Sequence, residues 1–399
     1  MHSLNKGGQN VSHIIAKYQL HNNPSKIDTI AEKLAVGLTV GSWTDLTAED
    51  QAHLEQYKGE VITKEIIDAE KGLLHIAIAY PEHNITPDFS SILTTVFGKL
   101  SLDGKVKLLD IDFTTYSKHF KGPTFGVEGV RDLLNIYDRP LVMSIFKGII
   151  GRDAAFFEAQ LRAQALSVDI IKDDEILYDV PELPFEERIT IGKRVLDEIF
   201  EATGRRVLYA VNLSGPVFEL PDKARKAKQL GANALLFNVH TYGLDALRGL
   251  RDLELDLPIL AHPALSGALC GSPDYGISYQ LLLSKLTRLA GADLILFPVP
   301  YGSIELTEDD AKSIVAHALE GSTIKKAFPV PSAGIHPGLV KRIIDDFGED
   351  IVINAGGGVH GHPDGATAGA EAFHEAIRHY KTGVGGKHYD KAVALWGTS

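Results

Sequence analysis

The chain is 399 residues long, 44% hydrophobic and 23% charged, an ordinary globular composition that excludes extensive disorder and accommodates one large domain or two of average size. A formal net charge of −12, with no Lys/Arg-rich stripe interleaved with aromatics, argues against nucleic acid as a partner. The single cysteine, Cys270, has no internal disulfide partner, and neither a signal-peptide core nor an apolar run of about 18 residues occurs, so the expectation is a cytoplasmic protein with no membrane association.

In chain order, the first ten residues, rich in Gly and Asn, are expected to be disordered. Up to about residue 120 the pattern is mixed, with helices expected at Lys26 to Ala35 and Phe89 to Phe97 and strands at Leu73 to Ala79 and Lys107 to Phe113. Pro123, Gly126 and Gly129 mark a junction, dividing a smaller N-terminal α+β domain (1–122) from a second domain (123–399). From there, eight short apolar runs recur: Leu141 to Phe146, Val168 to Ile171, Val207 to Val211, Ala234 to Val239, Pro258 to Ala261, Leu294 to Pro298, Ala327 to Val330 and Ile351 to Asn354. Between them, stretches such as Phe185 to Ala202, Asp222 to Leu230, Tyr279 to Leu289, Thr307 to Leu319 and Gly338 to Phe347 carry apolar residues at helical spacing, several followed by a glycine suited to a helix end (Gly204, Gly231, Gly291, Gly348). Eight strand-plus-helix units in about 250 residues predict an α/β fold with a C-terminal (β/α)8 TIM barrel, an open doubly wound sheet being the alternative.

The stretch richest in chemistry is Val168 to Ile176, where an apolar run ends in Lys172-Asp173-Asp174-Glu175. Charge runs are ordinarily solvated faces, but this one follows a buried strand, and the C-terminal ends of barrel strands are where ligands bind. Alternation along an extended segment sets Lys172 and Asp174 on one face, with Glu175 at the turn. Two carboxylates about 4 Å apart repel by roughly 4 kcal/mol at a dielectric near 20, so a cation is expected between them, magnesium before zinc. Other strand ends carry Lys147, read equally well as a salt-bridge partner, and His262, which at a strand end is more often a structural histidine than a ligand. The small-residue turns at Ser332-Ala333-Gly334 and Gly356-Gly357-Gly358, after strands seven and eight, expose backbone N–H groups suited to a phosphate. His360 and His362 offer a minor transition-metal alternative, with no Cys and few further ligands converging.

These motifs, with Gly41-Ser42-Trp43-Thr44, Val96-Phe97-Gly98, Ser332 to His336 and Gly361-His362-Pro363, resemble the form III/IV ribulose-bisphosphate carboxylase superfamily over roughly residues 35 to 370. The resemblance implies that Lys172 reacts with CO2 to give a carbamate, which holds Mg2+ beside Asp174 and Glu175. An ammonium cannot bind a cation, whereas its carbamate is an oxygen anion. Where carboxylases of the superfamily carry a mobile lysine after strand six, a proton-abstracting lysine, an arginine and an asparagine, this chain has Ser303, Ile145, Pro263 and Thr95, which implies enolisation without carbon fixation. Gly37 to Leu46, Leu93 to Lys105 and Met143 to Gly148 look like the subgroup of enolases acting on 2,3-diketo-5-methylthiopentyl 1-phosphate in bacterial methionine salvage. That likeness implies a phosphorylated diketone substrate, Lys99 as base, contacts from Lys147, His262, Gly334, Gly356 and Gly357, and a homodimer whose N-terminal domains complete each other's active sites. The alternatives are an isomerase of 5-methylthioribulose 1-phosphate or another enolising member, and a non-catalytic phosphate-metabolite sensor.

Overall fold

The computed structural model describes residues 3–4, 10–304 and 306–398. The disorder expected for the first ten residues falls mostly outside that set; within it, Ser3–Leu4 pairs antiparallel with Asn10–Val11. The chain forms two compact units, Met1–Lys121 with Leu265–Leu282, and Gly122–Ala264 with Leu283–Ser399. Residues 265–282, expected within the barrel domain, thus belong to the other unit. The reason is backbone pairing: Gly276–Ile277 adds a parallel edge strand to Val106–Asp112, with Gly276 opposite Lys107. No helix among the described residues is long and apolar enough to cross a membrane.

The first unit is built on a five-stranded sheet, among the described residues, in the order Gly276–Ile277, Val106–Asp112, His13–His21, Leu73–Pro81, Glu60–Asp68. His13–His21 alternates along its length, burying Ile14, Ala16, Tyr18 and Leu20 on one face. The helix expected over Phe89 to Phe97 is an α-helix only over Phe89–Leu93, then widens into a π-helical turn, Thr94–Gly98, that delivers Lys99. That turn is pinned from the sheet. The Tyr18 hydroxyl donates to the Val96 carbonyl (2.6 Å) and meets the Tyr80 hydroxyl at 2.7 Å. Single π-turns persist where a specific contact holds them, often at functional sites.

In the second unit all eight expected strands are present, ending within a residue or two of their expected limits: Leu141–Ile145, Ile170–Lys172, Leu208–Asn212, Ala234–Phe237, Ile259–Ala261, Leu294–Pro298, Phe328–Ser332 and Val352–Asn354. They are parallel and hydrogen-bonded in chain order, with the eighth returning to the first. Strands seven and eight pack side by side without a ladder. The cause is in the sequence: the Phe328 N–H points to strand six, so Pro329 and Pro331 face strand eight, where prolines have no N–H to give.

Alternate strand residues, including Leu141, Met143, Leu208, Ala210, Leu294, Leu296, Phe328 and Val330, fill the interior together with Val127, Val130 and Leu134 of the helix Gly126–Leu134. Asp293, fully buried just before strand six, fixes that helix at the strands' N-terminal ends. One carboxylate oxygen accepts the Phe125 and Gly126 N–H groups (2.7 and 3.0 Å), the other Arg251 Nη2 and the Ile259 N–H (2.5 and 2.9 Å). Asp293→Ala leaves the buried Arg251 guanidinium without its counter-charge and three backbone donors unpaired, and is expected to lower the unfolding free energy by about 3–5 kcal/mol in urea titrations, and Asp293→Asn by less. A loss under about 1 kcal/mol for Asp293→Ala would contradict this account.

Candidate active site at the barrel mouth

Strand two ends at Lys172, so Asp174 lies beyond the ladder, and Glu175 sits in the turn expected for it, closed by the Leu177 N–H donating to the Asp174 carbonyl (2.9 Å). Lys172 is only 1% exposed; its amine donates to the Asp173 carbonyl (3.0 Å) and lies 3.5 Å from Glu175 Oε2. Burial pushes its pKa down, against the opposing pull of Glu175 and Asp174. For Glu175 burial acts upward, but the charges of Lys172 and Lys147 outweigh it and hold the carboxyl below its usual range. The half-exposed Lys147 ammonium rests on Asp174 Oδ2 at 2.7 Å. His262 Nδ1 accepts the Ala264 N–H (3.2 Å), which assigns the proton to Nε2, 3.3 Å from Glu175 Oε2. Burial, reinforced by Lys172, drives the His262 pKa to about 3, so it donates to Glu175 as neutral imidazole.

Asp173 does a different job from its neighbours. It is fully buried and accepts from the Tyr209 hydroxyl (2.6 Å) and the Asn212 N–H (2.8 Å), with Arg188 Nε 3.3 Å away, close enough for attraction though not aligned for a hydrogen bond. Burial raises its pKa, and Arg188 and Asn212 offset this only in part. The side-chain amides of Asn212 and Asn238 both donate to the Glu175 carbonyl (3.1 Å each). Among the described residues their Oδ1 atoms are buried without a partner, oxygen acceptors held beside the acidic turn. Sequence reasoning missed both asparagines, although Asn212 ends one apolar strand and Asn238 directly follows another on the barrel's mouth. Two carboxylates, a buried lysine and spare oxygen acceptors form a hard-ligand set that fits magnesium.

The turns after strands seven and eight lie on the same barrel. Ser332 is buried, its hydroxyl donating to the Phe297 carbonyl (2.8 Å), while Ala333 and Gly334 are consecutive left-handed residues (φ 70 and 73°), a rare conformation for alanine that opens the turn's backbone. Gly356 starts the short helix Gly356–His360, where the first N–H groups lack intrahelical acceptors. A Cβ on Gly356 would come 3.0 Å from Ile145 Cδ1, so an apolar side chain abuts the turn. His360 and His362 do not form a metal pair. His360 Nε2 donates to the Ile145 carbonyl (2.7 Å), whereas His362 accepts the Asp364 N–H on Nδ1 and contacts the His388 carbonyl through Nε2. His362, Asp364 and His388 do cluster, but the Lys391 ammonium already occupies Asp364 (2.7 and 2.9 Å). Lys147, Lys172, Asp174, Glu175 and His262 therefore meet at one end of the barrel; Lys99 is an exposed residue of the first unit.

A family model described as the ribulose bisphosphate carboxylase large chain, catalytic domain, matches residues 126–396, and its N-terminal domain model matches residues 6–116. The chain belongs to the ribulose bisphosphate carboxylase large-chain family. Family members named 2,3-diketo-5-methylthiopentyl-1-phosphate enolase from Bacillus pumilus and Geobacillus thermodenitrificans are 54% and 53% identical, each alignment covering 92% of both proteins. Among solved structures, a rubisco-like protein (MtnW) from Alicyclobacillus acidocaldarius superposes with a TM-score of 0.92 at 44% identity, covering 97% of this chain and 100% of that one. A dimeric archaeal Rubisco from Hyperthermus butylicus gives 0.88 at 26% identity, covering 97% and 96%.

In this family member the buried His262 has a pH signature. Its pKa falls from the usual 6.5 to about 3 on folding, so the unfolded chain takes up a proton that the folded one refuses between those values. The stability it contributes is complete above about pH 6.5 and is lost as pH falls toward 3, by about 2 kcal/mol at pH 5. His262→Gln should remove that share of the loss between pH 7 and pH 5 in urea unfolding; equal acid sensitivity of the two proteins refutes the assignment.

Proposed function

We propose that this chain is a magnesium-dependent isomerase that enolises 2,3-diketo-5-methylthiopentyl 1-phosphate to 2-hydroxy-3-keto-5-methylthiopentenyl 1-phosphate in methionine salvage. The observation that carries this reading is the buried Lys172 amine beside Asp174 and Glu175, in a chain 51–54% identical to proteins named for that substrate. Lys172 as its carbamate, Asp174 and Glu175 would hold the metal, which when bound stabilises negative charge developing on the substrate's oxygens. The neutral Lys172 amine prepares the site by adding to CO2, forming an N–C bond and releasing one proton. His262 and the amides of Asn212 and Asn238 keep Glu175 in place. The turns at Ser332 to Gly334 and Gly356 to Gly357 bind the phosphate through backbone N–H groups. Lys99 removes the proton from C1, the carbon bearing the phosphate ester, and the C2 oxygen becomes the enol hydroxyl. Ile145 and Ser303, where carboxylases carry lysines, leave no cations for the later steps of carbon fixation.

Incubation in deuterium oxide with magnesium and CO2 should exchange the C1 proton, observed by NMR, and both Lys172→Ala and Lys99→Ala should abolish exchange; undiminished exchange by protein stripped of CO2 sinks the carbamate.

We further infer a homodimer in which Lys99 of one subunit serves the barrel of the other, as the family resemblance supports. Lys99→Ala and Lys172→Ala subunits, mixed after dissociation, should then recover about a quarter of wild-type activity, because half of the randomly assembled dimers carry one intact site. Hybrids that form yet stay inactive show that Lys99 acts within its own subunit or is not the base.

A further inference from the structure

The last helix of the chain, Lys387–Trp396, touches the segments that follow both small-residue turns. At its start, Glu375 Oε2 accepts the N–H groups of His388 and Tyr389 (2.9 and 2.8 Å), a carboxylate where the helix dipole is positive. Next, the Lys391–Asp364 ion pair and the His362 contact to the His388 carbonyl (3.0 Å) tie it to the segment after strand eight. At its end, the Trp396 ring stacks on His336, two residues beyond Gly334, with centroids 5.8 Å apart and planes at 27°. The same indole lies against Gly361, where an added Cβ would sit 3.2 Å from Trp396 Cζ2. The following residue closes in as well: a Cβ on Gly338 would collide with the Gly397 carbonyl at 1.9 Å. Trp396 therefore lies between the segments that continue each turn. The two strands behind those turns share no ladder, so no backbone hydrogen bond between them sets their separation directly.

We propose that Trp396 is a positioning residue for phosphate binding: its indole, against His336 on one side and Gly361 on the other, sets the spacing of the turns at Gly334 and Gly356. It touches neither substrate nor metal ligands. The inference rests on the reading of these turns as the phosphate site. If it holds, loosening the indole widens the anion site while leaving proton transfer at C1 intact, so substrate KM rises and kcat does not fall with it.

The test uses full-length wild type, Trp396→Ala and Trp396→Phe, with inorganic phosphate as the probe. Trp396→Ala is expected to raise both the substrate KM and the inhibition constant of phosphate about tenfold with kcat within about twofold, and Trp396→Phe, which keeps a ring to stack on His336, to restore both. If Trp396→Ala does not fold, Trp396→Leu, which fills the space without a ring face, should show the same split. Wild type that binds phosphate in calorimetry while Trp396→Ala or Trp396→Leu binds it equally well overturns the role of Trp396 alone. A fall in kcat with unchanged phosphate affinity also overturns it. Wild type that binds no phosphate overturns the reading of the turns and this inference with it.

Discussion

Everything at this site depends on keeping one lysine amine out of water. In the proposed reaction with CO2 an exposed, protonated amine would be inert; Lys172, sealed at the end of strand two, has its charged form penalised by burial. Such a group persists only if its surroundings are themselves rigid. Asp173 supplies that rigidity by accepting from Tyr209 and Asn212 beside a fully buried Arg188, so the strand end is tied to strand three and to the helix Phe185–Thr203. Adjacent aspartates thus divide the work. Asp173 holds the backbone that presents Lys172, while Asp174 stays at the surface of the site, where it meets a cation, Lys147.

The side of the barrel that carries the two small-residue turns is built on the opposite strategy. Strands seven and eight lack a ladder because Pro329 and Pro331 present no donors to that edge, and the Ser332 hydroxyl reaches the other way, to strand six. A seam without hydrogen bonds costs cohesion, yet it lets the turns above it be placed by side-chain packing. A phosphate needs several N–H groups converging from two chain segments, and a rigid ladder would fix their separation by strand geometry alone.

How much of this could be read from the sequence follows from burial. Strands enclosed on both faces are continuous apolar runs, and so all eight barrel strands were legible. In the first unit, Glu60–Asp68 is an edge strand with most residues exposed, so it lacks the period of a half-buried strand, whereas His13–His21 keeps the alternation, with Lys17 and Gln19 on its open face, and was missed although that period is in the sequence. Lys172, Asp174 and Glu175 were visible because charge after an apolar run is conspicuous. Asn212 and Asn238 were not, since an asparagine at a strand end reads as the start of a turn. That Asp173 is structural while Asp174 faces Lys147 could not be told from identical residues side by side; only the position of Arg188, Tyr209 and Asn212 separates them.

The excursion of residues 265–282 carries a consequence for how the molecule is made. The chain passes between its two units three times, after residues 121, 264 and 282. The strand Gly276–Ile277 pairs with Val106–Asp112 across a separation of 169 residues, with the Ser278 hydroxyl closing on the Leu109 carbonyl at 2.6 Å. During synthesis the first sheet therefore waits with an open edge until five of the eight barrel strands have left the ribosome. An unpaired edge is the part of a sheet most prone to pair with a stranger. Severing the chain near residue 122 would not yield two self-sufficient halves, because the leading half would lack its last strand and the trailing half would carry that strand with nothing to join.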